Sequence, residues 1–281
     1  MTAPGPRGAD PASVAVRVRS CGAARVPIYD RRMSSLAPAA LVRWTYAFVD
    51  RPAGGFERAC AFWAAVTDTR VSSPRGEDGE FVTLLPAGAD ACVKAQGVTG
   101  GDGGAHLDFC AEDVPAFVEA ACASGAESVA AHDGWSVLRS PAGQLFCAVP
   151  WHGESARPPV AAGSRLDQVC VDVPPSAYDT EVAFWSGLLA GQGWTSRPGS
   201  LPGFHVVAPP AGLPIRILLQ RLGEERGVSA HLDLACGGGI DAVRARHEAL
   251  GATLVAVHPH WTVLRDPAGG LYCLTARDPQ V

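Results

Sequence analysis

The sequence predicts an α+β protein of four βαβββ modules, arranged as two tandem domains. Two observations predict it. The first is an internal repeat, in which residues 43–150 match residues 164–277 feature by feature. Asp50 and Pro52 match Asp172 and Pro174, and Phe62-Trp63 matches Phe184-Trp185. His106-Leu107-Asp108 matches His231-Leu232-Asp233, Trp135 to Arg139 matches Trp261 to Arg265, and Cys147 matches Cys273. Self-similarity at one period marks duplicated supersecondary units. The second observation is a rhythm of strand-like and helix-like apolar patterns within each half.

Taken in order, the first half has strand-like runs at 44–49, 81–85, 91–95, 106–110, 136–140 and 145–149. Two helices fit between them. One covers 56–67, where Ala59, Phe62, Trp63 and Val66 fall on one face. The other covers 114–124, with Asp113 as N-cap, a stripe of Val114, Phe117, Val118, Ala121 and Cys122, and Gly125 in the C′ position. The second half repeats the plan, with strands at 166–173, 194–197, 204–208, 215–220, 231–236, 253–257, 261–265 and 271–275 and helices near 179–189 and 240–250. Residues 151–163 are rich in Pro and Gly and read as the linker between a domain at 43–150 and a domain at 164–277. Residues 1–42, rich in Pro, Ala and Arg, are expected to be a disordered N-terminal extension, with Met33 read as an alternative start.

Composition narrows the function. Hydrophobic residues make up 47% of the 281, enough for packed cores. The net charge is −5 and no Lys/Arg cluster exceeds short pairs, so a nucleic-acid or anionic-membrane partner is not expected. No apolar run reaches the ~20 residues that span a bilayer. Nine cysteines without a Cys-x-x-Cys read as buried reduced thiols in a cytoplasmic protein. The Gly237-Gly-Gly239 run reads as a loop, because it lacks the neighbouring Lys or Ser of a phosphate cradle.

In a strand, residues two apart share a face. His231 and Asp233 therefore point together, as do His106 and Asp108. A carboxylate beside an imidazole suits an acid/base pair or a ligand anchor, and equally a structural polar network. Trp135 and Trp261, on strands, are candidates for an aromatic wall as much as for core, whereas Trp63 and Trp185 fall on apolar helical stripes and read as core. His258 and His260 read as rim residues. Arg139 and Arg265 read as solvated surface.

Paired βαβββ modules carrying His231-Leu-Asp-Leu and the closing run from Trp261 through Asp266-Pro-Ala-Gly to Cys273 resemble the vicinal oxygen chelate superfamily. That superfamily includes glyoxalase I, extradiol dioxygenases and bleomycin-resistance proteins, and the resemblance is to its glyoxalase-like branch. It implies that each domain is a cupped mixed β-sheet flanked by helices, with metal ligands on the first and last strands of the modules. The ligand positions fall on Gln168, His231 and Cys273 in the second domain and on Tyr46, His106 and Cys147 in the first, with Gln220 and Gln96 loosely aligned to a further one. The family's closing glutamate is therefore replaced by cysteine in both domains, which disfavours an extradiol dioxygenase and leaves open either Zn, Ni, Mn or Fe on Gln168, His231 and Cys273, or no metal.

The function expected is binding of a small organic molecule in the cup of the second domain. The resemblance implies lyase or isomerase activity with His231 and Asp233 as catalytic residues. Gln168, Trp261 and Gln220 are the expected ligand contacts there, with His106, Asp108 and Trp135 their counterparts in the first domain. The alternative is a non-enzymatic, antibiotic-like sequestering protein without metal. A monomer or homodimer is expected.

Overall fold

The computed structural model describes residues 42–280. The expectations for the N-terminal extension, for Met33 and for Cys21 fall outside the described residues. The first domain opens with β1 (Val42–Pro52), α1 (Phe56–Thr67), β2 (Thr69–Val71), β3 (Phe81–Pro86) and β4 (Val93–Val98). It closes with β5 (Gly104–Ala111), α2 (Val114–Ala123), β6 (Glu127–Ala131), β7 (Ser136–Arg139) and β8 (Leu145–Pro150). The second domain repeats this as β9 (Arg165–Val173), α3 (Tyr178–Ala190), β10 (Thr195–Pro198), β11 (Phe204–Ala208), β12 (Arg216–Arg221), β13 (Ser229–Ala235), α4 (Ile240–Ala249), β14 (Thr253–Val257), β15 (Trp261–Arg265) and β16 (Leu271–Thr275).

Each domain is one eight-stranded sheet, in the orders β2-β3-β4-β1-β5-β8-β7-β6 and β10-β11-β12-β9-β13-β16-β15-β14. The first strand of each module pairs parallel with its last (β1 with β4, β5 with β8), and the two modules meet through antiparallel β1 and β5. The helices form where the pattern predicts them. Asp113 caps α2 by accepting the Ala116 N–H at 2.9 Å, and Gly125 takes φ +114° just past the helix. Two first-domain strands are absent from the sequence-based list. β2 is three residues long, and β6 is a Ser/Ala-rich strand with a bulge, so neither shows alternation. Cys60, Cys92, Cys110, Cys147, Cys170, Cys236 and Cys273 are free and buried.

Trp63 and Trp185 have no exposed surface, and they join the two domains. Trp63 and Phe62 of α1 pack on Tyr272 of β16, at ring distances of 5.1 and 5.8 Å. Trp185 of α3 packs on Phe146 of β8 and Phe109 of β5, at 5.0 and 5.8 Å. The first helix of each domain thus seals the closing strands of the other. Each buried aromatic of this kind contributes ~1.5–3 kcal/mol.

A buried polar contact sits beside each joint. Arg51, 1% exposed, donates to Asp266 at 2.7 Å, and Trp63 Nε1 donates to the same oxygen at 3.0 Å. Gly270 makes room for this ion pair, because a Cβ there would lie 1.9 Å from the Arg51 guanidinium carbon. At the matching joint the acid comes from the helix instead. Glu181 accepts Trp185 Nε1 at 2.7 Å and the Ala142 N–H at 2.9 Å. There Val173 replaces Arg51, and Gln144 fills the place of Gly270.

Candidate functional site in the two cups

In the first domain, alternation places Tyr46, Phe48 and Asp50 on one face of β1. Register sets Phe48 opposite His106 and Tyr46 opposite Asp108 on β5, Lys94 beside Phe48 on β4, and Cys147 beside Asp108 on β8. These side chains form the floor of a cup. The His106 ring stacks on Phe48 at 4.2 Å. Its Nδ1 bonds Asp50 Oδ2 at 2.6 Å, and its Nε2 faces Asp108 Oδ1 at 3.7 Å. Lys94 Nζ lies 3.7 Å above the Tyr46 ring and 3.5 Å from Asp108 Oδ2. The Tyr46 hydroxyl donates to Glu154 of the linker at 2.7 Å. Above this floor opens a cavity of about 770 Å³, walled by Phe81, Trp135 and Val137, with Arg75 at its edge.

The second cup has the same register and a different filling. Cys170 lies opposite His231, and Gln168 opposite Asp233. His231 Nδ1 pairs with Asp172 at 3.0 Å, and its Nε2 faces Asp233 Oδ1 at 3.4 Å. Leu218, paired with Cys170, stands where the first domain has Lys94. Gln168 has no exposed surface. Its Nε2 donates to Asp233 Oδ2, and its Oε1 accepts from Arg216 Nε at 2.5 Å. Arg277 pairs with Asp167 and lies 4.0 Å from Asp233 Oδ2.

The family model described as Glyoxalase-like domain matches residues 46–149 and again residues 168–275, most of the chain. The chain belongs to the glyoxalase-like domain family, in the vicinal oxygen chelate superfamily. A search of curated proteins finds no match. Among solved structures, the Mn(II)-bound glyoxalase from Novosphingobium aromaticivorans is similar at 15% identity and a TM-score of 0.51, over 86% of this chain and 85% of that one. The 2,2',3-trihydroxybiphenyl 1,2-dioxygenase from Sphingomonas wittichii strain RW1 is similar at 14% identity and a TM-score of 0.56, over 84% and 90%. A xylose isomerase-like TIM barrel/4-hydroxyphenylpyruvate dioxygenase fusion protein gives a TM-score of 0.59 at 13% identity; this chain, 88% covered, spans 51% of it. At these identities the likeness is one of fold.

Glyoxalase-like relatives with a metal raise the question of whether these cups fit one. His106, Asp108 and Cys147 bring N, O and S donors within 4.8 Å of one another, as do His231, Asp233 and Cys273. Their chemistry points elsewhere. Burial pulls His106 down, but Asp50, Cys147 and Asp108 outweigh it and raise its pKa well above the ordinary value. Burial likewise opposes, and Cys170, Asp172 and Asp233 overcome, so that His231 is also raised. Burial pushes the Cys147 and Cys273 thiols up. Ligation needs neutral imidazole and thiolate, so an ion would have to displace protons from both. It would also meet a resident cation at the carboxylate, Lys94 in the first cup and Arg277 in the second. In both cups the donor set is already met by a resident cation.

The fold brings His231, Asp233, Gln168 and Cys273 together at one floor, and His106, Asp108 and Cys147 at the other. Gln220 sits at the second cup's side, within 3.7 Å of Cys170 Sγ. Trp135 lines the first cavity. Trp261 packs edge-on against Phe204 at 5.9 Å, and His258 stacks on it at 4.7 Å. His132 stacks on Trp135 in the same way at 3.9 Å, so this histidine closes a hairpin in both domains. Arg139 pairs with exposed Glu127, in keeping with surface solvation. Sequence reasoning missed Asp50 and Asp172 as the histidine partners, and Lys94, Arg216 and Arg277 as the cations. Asp50 and Asp172 were visible as a repeat match, each four residues beyond the cup position of its strand, Tyr46 and Gln168.

Proposed function

We propose that this glyoxalase-like protein binds a small, planar organic molecule in the cup of its first domain. The observation that carries the reading is the cavity of about 770 Å³, lined by Phe48, Phe81 and Trp135 and floored by His106, Asp108 and Lys94. Aromatic walls around a few convergent polar groups are the usual make-up of a small-molecule site. The sequence pointed to the second cup. We favour the first, because Gln168 is wholly buried with both amide atoms engaged, by Asp233 and Arg216.

Binding is favoured over the lyase or isomerase reading with His231 and Asp233 as acid and base. A general base must be free to accept a proton. Both cup histidines are held toward the imidazolium form, which can donate or anchor. The sequestering alternative, without metal, is therefore the better supported of the two.

The test is a screen of small aromatic compounds by ligand-observed NMR against the wild type, His106→Ala and His231→Ala. We expect His106→Ala to lose at least tenfold in affinity and His231→Ala to match the wild type. The reverse pattern would return the site to the second cup.

A further inference from the structure

Lys94 is the only lysine in the 281 residues, and it sits on the floor of the first cup. Its side chain is 20% exposed. The aromatic face of Tyr46 lies 3.7 Å beneath the ammonium, and the Phe48 ring 5.5 Å to one side. The Tyr46 hydroxyl is itself anchored on Glu154, so the ring under the cation is polarised by a carboxylate. Asp108 approaches from the floor at 3.5 Å. An ammonium has three N–H donors and no acceptor. One is directed by Asp108 and one face rests on Tyr46, which leaves donor capacity toward the cavity.

The other charged groups of the cup already have partners. The titratable side chains lining the cavity are Lys94, His106, Arg75, Cys147, His152, Asp50 and Asp108, with Glu154 behind the Tyr46 hydroxyl. Asp50 is engaged by His106 at 2.6 Å. Arg75 is held by the hydroxyls of Ser72 and Thr83, at 3.2 and 2.8 Å. Lys94 is thus a cation of the cup with donor capacity left toward the cavity.

We infer that Lys94 is the resident cation of the first cup, standing in for the metal of its relatives, and that the site takes small aromatic or otherwise planar molecules bearing a carboxylate. The oxyanion would meet the Lys94 ammonium, and the ring would lie between Phe81 and Trp135. This inference rests on the binding function proposed for the first cup and specifies its ligand class. The second cup has Leu218 at this position and lacks the feature.

A single lysine makes the test direct. The full chain labelled with [¹³C]lysine gives one Cε–Hε signal. Benzoate and 1-naphthoate are titrated against it, with benzamide and 1-naphthamide as uncharged isosteres. We expect the acids to shift the signal saturably and to bind at least tenfold tighter than the amides, a difference of about 1.4 kcal/mol. Lys94→Met should bind acid and amide alike, and Lys94→Gln serves if Lys94→Met does not fold. Stoichiometric Mn²⁺ should leave the Lys94 signal sharp. Amides binding as tightly as acids would overturn the role of Lys94 while leaving the cup a binding site. An acid preference that survives loss of Lys94, or broadening of its signal by Mn²⁺, would overturn it too. No binding of either class would overturn both the inference and the function on which it rests.

Discussion

The two cups share a scaffold and differ in where their positive charge enters. Both place an imidazole between two carboxylates, His106 with Asp50 and Asp108, and His231 with Asp172 and Asp233. In the first cup a lysine on β4 reaches the carboxylate from the cavity side. In the second, Leu218 leaves that route apolar, and Arg216 and Arg277 approach the floor through Gln168 and Asp233. The one arrangement leaves a cation facing a cavity; the other locks the family's ligand position into an internal network. Duplication preserved the frame, and a few substitutions made the two floors different.

The joints between the domains diverge in the same manner. One holds Arg51 and Asp266 in a buried ion pair with Gly270 giving way; the other holds neutral donors on Glu181, with Val173 and Gln144 restoring the volume. Burial raises the Glu181 pKa, against the pull of Ser140, Ala142 and Trp185. The largest effect is expected here. Arg51→Ala removes the ion-pair partner of buried Asp266, leaving it only neutral donors, and should cost about 3–5 kcal/mol. Glu181→Ala leaves neutral donors unpaired and should cost about 1–3 kcal/mol. Urea unfolding of both variants measures the contrast, and equal losses would erase it.

A smaller effect separates the aromatic walls. Trp135 lines the open cavity while Trp261 packs against Phe204, so Trp135→Ala should weaken an aromatic ligand by about 0.5–1.5 kcal/mol beyond lost contact area, and Trp261→Ala should not. Affinities of the two variants by calorimetry decide it. The subtlest effect is electrostatic. Asp50→Asn should bring the His106 titration down while leaving His231 raised, as read by NMR of the imidazole protons. Because the folded-state pKa of His106 is raised, its contribution to stability is full below the unfolded value of about 6.5 and is lost as pH rises through the folded value. The variant should therefore be less destabilised by alkali than the wild type. Parallel curves would sink the pairing.

Much of this fold was legible along the chain. Helix α1 was readable from Ala59, Phe62, Trp63 and Val66 because helical periodicity is a local property. The shared face of His106 and Asp108 followed from strand alternation alone. The bond from His106 to Asp50 did not, because it depends on the antiparallel register of β1 and β5, whose partners lie 56 residues apart. Strands β2 and β6 were missed because short or bulged edges carry no alternating signal.

The sequence by itself determined the duplication, the module order and the histidine–aspartate faces. These are set by residue identity and by periodicities of two and 3.6. Only the tertiary structure decided that each domain's first helix seals the other domain, that Gln168 is closed off by Arg216 and Asp233, and that the lone lysine stands in the open cup. Those outcomes turn on which side chains meet across strands and domains, and on how much space they leave. A linear pattern carries neither quantity.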